Sequence, residues 1–225
     1  MTQPVGVELD PRPAPRPVPV VLEGASVRLE PLEAQWHTEP LWQAVQGYDD
    51  LWTYLGEGPF AEEAAFRKQM EKEELSKDPL YFAIIDQATD RCVGRCSLMR
   101  IEPADRVIEV GNVLFSPMLQ RTRMATEAMF LLARHIFDDL GYRRYEWKCH
   151  SFNEPSRRAA IRLGFTYEGT FRQHKIIKGR NRDTAWYSML DSEWPARKAE
   201  FERWLSPSNF ERDGSQRTRL DQGLA

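Results

Sequence analysis

Residues 112–128 join an apolar segment to the start of a long amphipathic helix through a turn at Ser116 and Pro117. The first backbone N–H groups of a helix have no partner within the helix, and the macrodipole adds positive charge at that end. A helix start of this kind is a favourable binding site for a phosphate or pyrophosphate group. The sequence therefore indicates a phosphate-containing ligand at this junction.

A strongly basic segment follows the same helix. Residues 141–182 contain eleven Lys or Arg side chains and three acidic ones, although the whole chain has a formal net charge of -3. Such a segment attracts a polyanionic ligand such as coenzyme A, and it would equally attract RNA. A solvated basic face without any ligand is the third interpretation.

Composition narrows the class of protein. The chain has 225 residues, of which 41% are hydrophobic and 29% charged, so a sizeable core can form. No apolar run approaches the ~20 residues needed to span a bilayer. Three cysteines fit neither a disulfide framework nor a known zinc-ligand pattern. We therefore expect a cytoplasmic protein with no membrane partner and no metal.

The apolar periodicity predicts strands and helices that could position these residues. The predicted strands are 26–32, 80–85, 92–101, 106–115, 143–150, 165–178 and 182–190. Helices are predicted around 33–46, 61–75, from 118 or 124 to 140, 154–163 and 192–205. The strand, helix and strand between residues 106 and 150 form a βαβ crossover, which predicts two parallel strands.

Three regions follow from this pattern. Residues 1–19 contain six prolines and are predicted to form an extended arm. Residues 20–205 are predicted to form one domain. Residues 206–225 are polar and are predicted to be a flexible C-terminal tail.

The helix start resembles the phosphate loop of GNAT N-acyltransferases. Gln120, Ala125 and Thr126 stand where the pattern Gln/Arg-x-x-Gly-x-Gly/Ala of that family places them. Arg123 occupies the usual position of a Gly, which is a departure from the pattern.

A second motif resembles the RimJ/RimL-like branch of the same family. Asn153, Ser156, the pair Gly164-Phe165 and the pair Glu168-Gly169 follow its pattern Asn-x-x-Ser…Gly-Phe…Glu-Gly. The order and spacing of elements agree with this branch from about residue 26 to residue 190.

The resemblance implies a fold and a reaction. The fold would be α/β (α+β), with a central mixed, largely antiparallel sheet of about seven strands flanked by helices. The sheet would splay between the strand ending at Phe115 and the strand ending at His150, with acyl-CoA in the gap. The implied activity is direct transfer of an acetyl group from acetyl-CoA to a primary amine, either a protein N-terminal α-amine or a small-molecule amine.

The resemblance also assigns residues to the cofactor. Backbone groups of Val113, Leu114 and Phe115 would pair with the pantetheine amides. The pyrophosphate would be bound by the Thr126 hydroxyl and by backbone N–H groups of Gln120, Arg121, Thr122, Arg123, Met124 and Ala125. Asn153 would contact the pantetheine arm. Ser156 would donate to the departing thiolate; since Ala160 stands where many family members have a Tyr acid, Ser156 or water would have to serve as the acid.

A general base would be needed because only an uncharged amine can attack the thioester carbonyl. An α-amine titrates near ~8 and a lysine near ~10.4, so a base matters more for lysine. Glu109 shares a strand face with Val113, at a place where some family members have a Glu that acts as the general base. Its alternative role is an ion pair with an Arg of a neighbouring strand. His174 is the second candidate, since His can titrate near neutrality.

The acceptor pocket is predicted to lie between the N-terminal helices and the last hairpin. The aromatic side chains predicted to line it are Trp36, Trp52, Tyr54 and Phe60, with Trp186 opposite. Aromatic residues also fill protein cores, so each of them could instead be a core residue.

Two other functions stay open at this point. The departure at Arg123 and the missing Tyr favour a non-catalytic acyl-CoA-binding or interaction module on a GNAT scaffold. The basic segment allows an RNA- or ribosome-associated protein, but it lacks the exposed aromatic-glycine pattern of common RNA folds, so nucleic acid is not the expected partner. A homodimer through the N-terminal arm or the last helix is also compatible with the sequence.

Overall fold

One mixed sheet organises the chain. The structure is a computed structural model that describes residues 3–220. Its eight strands are β1 (Leu22–Glu23), β2 (Val27–Pro31), β3 (Leu80–Asp86), β4 (Arg91–Glu102), β5 (Val107–Phe115), β6 (Arg144–His150), β7 (Thr166–Ile177) and β8 (Arg180–Leu190). They lie in the order β1-β2-β3-β4-β5-β6-β8-β7. Among the strands of residues 3–220, β5 and β6 form the one parallel pair, so the predicted mixed, largely antiparallel sheet is confirmed.

Helices cover both faces of this sheet. They are α1 (Ala34–Val45), α2 (Glu63–Glu74), α3 (Arg123–Arg134), α4 (Glu154–Arg162) and α5 (Trp194–Leu205). Residues of α3 and α5 pack with one face of the sheet in the larger hydrophobic core. Residues of α1 and α2 form a second core on the other side, around Phe66 and Trp52. The strand β3 is buried throughout because it has a helix layer on each face.

Two element boundaries differ from the sequence prediction. The sheet has an eighth strand because the two residues of β1 pair with Arg28 and Leu29 of β2, too short a match for periodicity to reveal. The predicted helix to residue 140 ends as α-helix at Arg134 and continues as a π turn over His135–Asp139. Gly141 then takes a positive φ of 67°, as its predicted helix-ending position requires.

The β5–β6 pair separates before either strand ends. Its register runs from Val107 opposite Arg144 to Val110 opposite Trp147 and stops there. Residues 111–115 of β5 then pair only with β4, and residues 148–150 of β6 pair only with β8. The sheet is therefore splayed in its middle, as the family resemblance implies.

A β-bulge on β5 coincides with this separation. Gly111 pairs with Ser97 and Leu114 pairs with Arg95, so Asn112 and Val113 together stand opposite Cys96. Asn112 has a positive φ of 51°.

Polar contacts hold the bulge in place. The Asn112 carbonyl accepts a hydrogen bond from Arg95 Nη1 at 3.0 Å, and its Nδ2 donates to Ser97 Oγ at 3.0 Å. Ser97 Oγ in turn donates to the Gly111 carbonyl at 3.1 Å. The bulge is thus fixed from β4.

Arg95 also carries the ion pairs of the second core. Its side chain is fully buried, and it contacts Glu73 of α2 at 3.1 Å and Glu57 of the preceding loop at 2.5 Å. Burial raises the pKa of Glu73 above its usual value despite the Arg95 guanidinium. A single guanidinium therefore joins α2, the 56–59 loop and the bulge.

The terminal segments lie against the domain in the part of the chain that is described. In the arm, Ala14 is buried and its N–H donates to the Pro103 carbonyl at 3.0 Å. In the segment after α5, Asn209 and Leu220 are buried and Phe210 bridges to Gln216. Residues 1–2 and 221–225 of the predicted arm and tail lie outside the described residues. The three-region division stays a prediction.

We expect Arg95→Leu to lower the free energy of unfolding by about 3 kcal/mol, because it leaves the buried Glu73 carboxylate without its counter-charge. The difference in the free energy of unfolding between Arg95→Leu and the wild type should become smaller as the pH falls. A buried carboxyl with a raised pKa takes up a proton more readily in the folded than in the unfolded chain, so acid relieves the unpaired charge. Urea unfolding at pH 8 and pH 5.5 measures both effects.

Arg67→Leu is the matched control for this variant. Arg67 belongs to a half-exposed pair with Glu63 on α2, and removing it should cost less than ~0.5 kcal/mol. Equal costs for the two substitutions would contradict the role of Arg95.

Candidate active site

A cavity of about 1490 Å³ opens where β5 and β6 separate. Residues 120–123, 125 and 126 at the start of α3 line one end, together with α4 and the segment after α5. The separated ends of β5 and β6 line the middle. The β7–β8 hairpin and residues 50, 51 and 54–56 line the other end. The structure therefore brings both predicted motifs to one cavity.

The start of α3 offers three backbone donors to this cavity. Thr122 caps the helix, since its Oγ1 accepts from the Ala125 N–H at 3.1 Å and donates to the Leu119 carbonyl at 2.6 Å. The N–H groups of Gln120 and Thr122 donate to carbonyls of the same loop. The N–H groups of the remaining predicted loop residues have no acceptor among residues 3–220; these are Arg121, Arg123 and Met124.

Arg123 fits the loop without backbone strain. It is the first residue of α3, whereas the positive φ of the loop, 60°, belongs to Arg121. Its guanidinium donates to the Leu205 carbonyl at 2.5 Å and lies over the Phe210 ring, 4.9 Å from the centroid. The side chain at the usual Gly position is therefore bound to the segment after α5.

The remaining cofactor candidates lie beside this loop. Gln120 closes it by donating to the Phe115 carbonyl at 3.0 Å. The Thr126 hydroxyl is buried and accepts from Arg162 Nη1 at 3.0 Å. Arg162 also lies over the Trp204 ring at 4.9 Å. Arg162 lines the cavity but was not singled out from the sequence, where its only signal was the charge of the basic segment.

Asn153 and Ser156 meet at the start of α4. Asn153 Oδ1 caps the helix by accepting from the Ser156 N–H at 3.2 Å. Ser156 Oγ accepts from Trp147 Nε1 at 3.0 Å. Burial raises the pKa of the adjacent Cys149 thiol, which also interacts with the Ser156 hydroxyl. The Ser156 hydroxyl is thus fixed beside the cavity, close to the end of β6.

Glu109 is buried in the cavity wall between two cations. Its Oε2 lies 2.9 Å from Lys148 Nζ and 3.3 Å from Arg100 Nε. Burial raises its pKa above the usual value although both cations oppose the shift. The carboxyl can therefore hold a proton at a higher pH than a surface glutamate.

The pKa of the neighbouring Glu146 is shifted in the opposite direction. Burial alone would raise its pKa, but hydrogen bonds from Lys148 and Arg144 lower it below the usual value. The two facing carboxyls of β5 and β6 thus have pKa values pushed apart, a pattern that often accompanies acid–base roles.

His174, the second candidate base, also lines the cavity. Its Nδ1 lies 3.0 Å from Thr184 Oγ1 on the neighbouring strand. Burial and the charges of Lys175 and Arg182 lower its pKa. A lowered pKa favours the neutral imidazole, which is the form that can accept a proton.

The predicted aromatic pocket is only partly assembled. Tyr54 lines the cavity and donates to the Phe152 carbonyl at 3.1 Å. Trp186 faces the Lys148 ammonium at 3.8 Å. Trp52 is 2% exposed and packs with Phe60 and Phe66 in the second core. Trp36 is 63% exposed and does not line the cavity.

Two further observations concern the described residues only. No cluster of three or more His, Cys, Asp or Glu side chains among them could hold a metal ion. None of their helices is both long and apolar enough to cross a membrane.

Comparison with known proteins adds to this geometry. Residues 26–166 match the family model described as an acetyltransferase (GNAT) domain. The crystal structure of a GCN5-related N-acetyltransferase from Brucella melitensis is 51% identical, with a TM-score of 0.91 over 93% of this chain and 96% of its own. A probable GNAT-family acetyltransferase from Chromobacterium violaceum is 39% identical, with a TM-score of 0.79 over 86% of this chain and 100% of its own.

Curated relatives match over shorter stretches. The ribosomal-protein-serine acetyltransferase of Escherichia coli is 30% identical over 105 residues, which are 46% of this chain and 58% of that protein. Across the first such relatives, the match spans 57–63% of their own length.

Proposed function

Because the chain belongs to the GNAT acetyltransferase family, we propose that it is an acetyl-CoA-dependent enzyme that moves an acetyl group directly to a primary amine. The observation that supports this most is the cavity between β5 and β6, which has at one end a helix start whose first N–H groups find no acceptor among residues 3–220, and at the other end a buried carboxyl. The acceptor is a protein N-terminal α-amine or a small-molecule amine.

The residues present fit coenzyme A. The N–H groups of Arg121, Arg123 and Met124 bind the pyrophosphate, assisted by the macrodipole of α3 and by the charge of Arg162. Residues 113–115 have no strand partner on β6, so their backbone groups can bind the pantetheine amides. Asn153 and Ser156 line the path between these two sites. When bound, the cofactor supplies a thioester carbonyl as the electrophile.

Glu109 acts as the general base. In its ionised form it accepts the proton that the attacking amine loses, directly or through one water molecule. Lys148 and Arg100 keep the carboxyl oriented and stabilise its charge. His174, neutral and on the same side of the cavity, is the alternative base. The Ser156 hydroxyl donates to the departing sulfur as the carbon–sulfur bond breaks.

The cofactor assignment is tested by calorimetric titration with acetyl-CoA. Wild-type protein should bind with micromolar affinity, and Arg162→Gln should weaken binding about tenfold, the value of one charge-assisted hydrogen bond. Arg172→Gln, an exposed residue of the β7–β8 hairpin outside the cavity, should bind as wild type does.

Free-thiol release during incubation with a panel of amines completes this test. Turnover with any amine would contradict the alternative that the chain is a non-catalytic acyl-CoA-binding module. No binding of acetyl-CoA at millimolar concentration would contradict the proposed function, and unchanged affinity in Arg162→Gln would contradict the assignment of that residue.

The base assignment predicts a pH effect. Glu109→Gln should lower kcat by about 10²–10⁴-fold, the usual contribution of a general base. In the wild type, the rate should fall as the pH drops through the raised pKa of Glu109, because the carboxyl becomes protonated there. This fall should occur at a higher pH than for a surface glutamate, and it should be absent from Glu109→Gln.

The predicted homodimer and cytoplasmic location remain predictions.

His174→Gln is the matched variant for the test of the general base. If it removes the acidic limb while Glu109→Gln keeps kcat within about twofold, the base is His174 rather than Glu109.

A further inference from the structure

The cavity end that faces away from α3 is rich in cations. Side chains alternate along β6 and β8, and Tyr145, Trp147 and Cys149 face the core shared with α3. Lys148 therefore faces the other side, where it meets Trp186. The cations of the cavity wall at this end are Arg100, Lys148, Lys175 and Arg182.

Acidic groups do not balance these charges. Within the described residues, Asp50 and Glu109 are the acids that line this end, and Glu109 is shared by Lys148 and Arg100. Glu146 is paired with Lys148 and Arg144. Asp183 accepts from the Gln173 N–H and from Asn181 within the hairpin itself. The cavity end is thus left with an excess of positive charge.

Arg182 differs from the other three cations in that its buried Nε has no hydrogen-bond acceptor among the described residues. Its side chain is half-buried in the cavity wall, and its Nε is buried without an acceptor among residues 3–220. No ion pair joins it to an acid of the described chain. Trp186 Nε1, four residues further along the same strand face, is a second buried donor without an acceptor there. Of these two donors, Arg182 Nε belongs to a residue that lines the cavity, so it can donate to an anionic or carbonyl oxygen of a ligand.

We propose that the acetyl acceptor is a primary amine that also carries a carboxylate, and that Arg182 binds this carboxylate. This inference rests on the proposed function and deepens it. A guanidinium recognises a carboxylate through two parallel hydrogen bonds, which suits an anchor that orients the amine. A partly desolvated guanidinium without a counter-ion is unfavourable, so an acceptor that supplies the negative charge is preferred to a neutral one.

The same charges favour the reactive form of the amine. A protonated amine in this cavity end faces Arg182, Lys175 and Lys148, and like charges disfavour the charged form. The carboxylate of the acceptor compensates the cations while its amine loses the proton. Polyamines, which carry several positive charges, are excluded by the same argument.

A free amino acid and a peptide with acidic residues after its N-terminus share this chemistry. The test therefore compares two matched pairs of acetylated product analogues on the full chain saturated with CoA. One pair is N-acetylglutamate and N-acetylglutamine. The other is the blocked peptides acetyl-Ala-Glu-Glu-amide and acetyl-Ala-Gln-Gln-amide. Calorimetry measures the affinity of each.

We expect the anionic member of at least one pair to bind about tenfold or more tightly than its neutral isostere. The pair that shows the difference identifies the source of the carboxylate. Arg182→Gln should remove the discrimination, and Arg182→Lys should retain part of it. Arg180→Gln, on the same hairpin but exposed and outside the cavity, should discriminate as the wild type does.

Equal affinities within both pairs, or no binding of either anionic ligand at about 10 mM, would overturn the inference. The wild-type comparison stands even if Arg182→Gln fails to fold. Acetyl-CoA titration of the wild type separates this failure from that of the proposed function. Intact cofactor binding with no preference for anionic ligands contradicts the inference alone, whereas absent cofactor binding contradicts the proposed function.

Discussion

The structure depends on the early end of the β5–β6 ladder. Parallel strands normally pair along their shared length, but here the pairing stops at Val110 because the next residues form a bulge held from β4. Backbone groups that leave a ladder must find other partners or face solvent. The cavity and the edge of residues 113–115 that does not pair with β6 both follow from this one interruption, and α3 begins beside them. The buried Arg95 couples it to α2 and thereby to the second core.

Charge organises the two ends of the cavity differently. At the start of α3 the positive character comes from the backbone and from Arg162, which suits a pyrophosphate. At the other end it comes from side chains of β4, β6, β7 and β8, beside the buried carboxyl of Glu109 on β5. That carboxyl has an elevated pKa because its burial outweighs its two ion pairs. The charges of the cavity thus suit anions at both ends, with a candidate proton acceptor at the end that faces away from α3.

The sequence predicted the elements that repeat a simple period and missed contacts between distant segments. Strand alternation and the 3.6-residue period gave the mixed sheet and its parallel pair, because local burial dictates both. The bulge at Asn112 has no local signature, since an Asn in a strand reads as a surface residue. The Arg123 contact with Phe210 joins residues 87 positions apart, which periodicity cannot reveal. Periodicity also could not decide between the pocket and the core for Trp52, because its neighbours Phe60 and Phe66 come from a loop and a helix.

In the proposed function, the interrupted ladder and the α3 start form one cofactor site. Backbone amide shifts of ¹⁵N-labelled protein during titration with acetyl-CoA test it most directly. The largest changes should occur together at Val113, Phe115, Arg121, Arg123 and Met124, while α2 should stay unchanged. Changes at only one of the two segments, or none at millimolar acetyl-CoA, would contradict it.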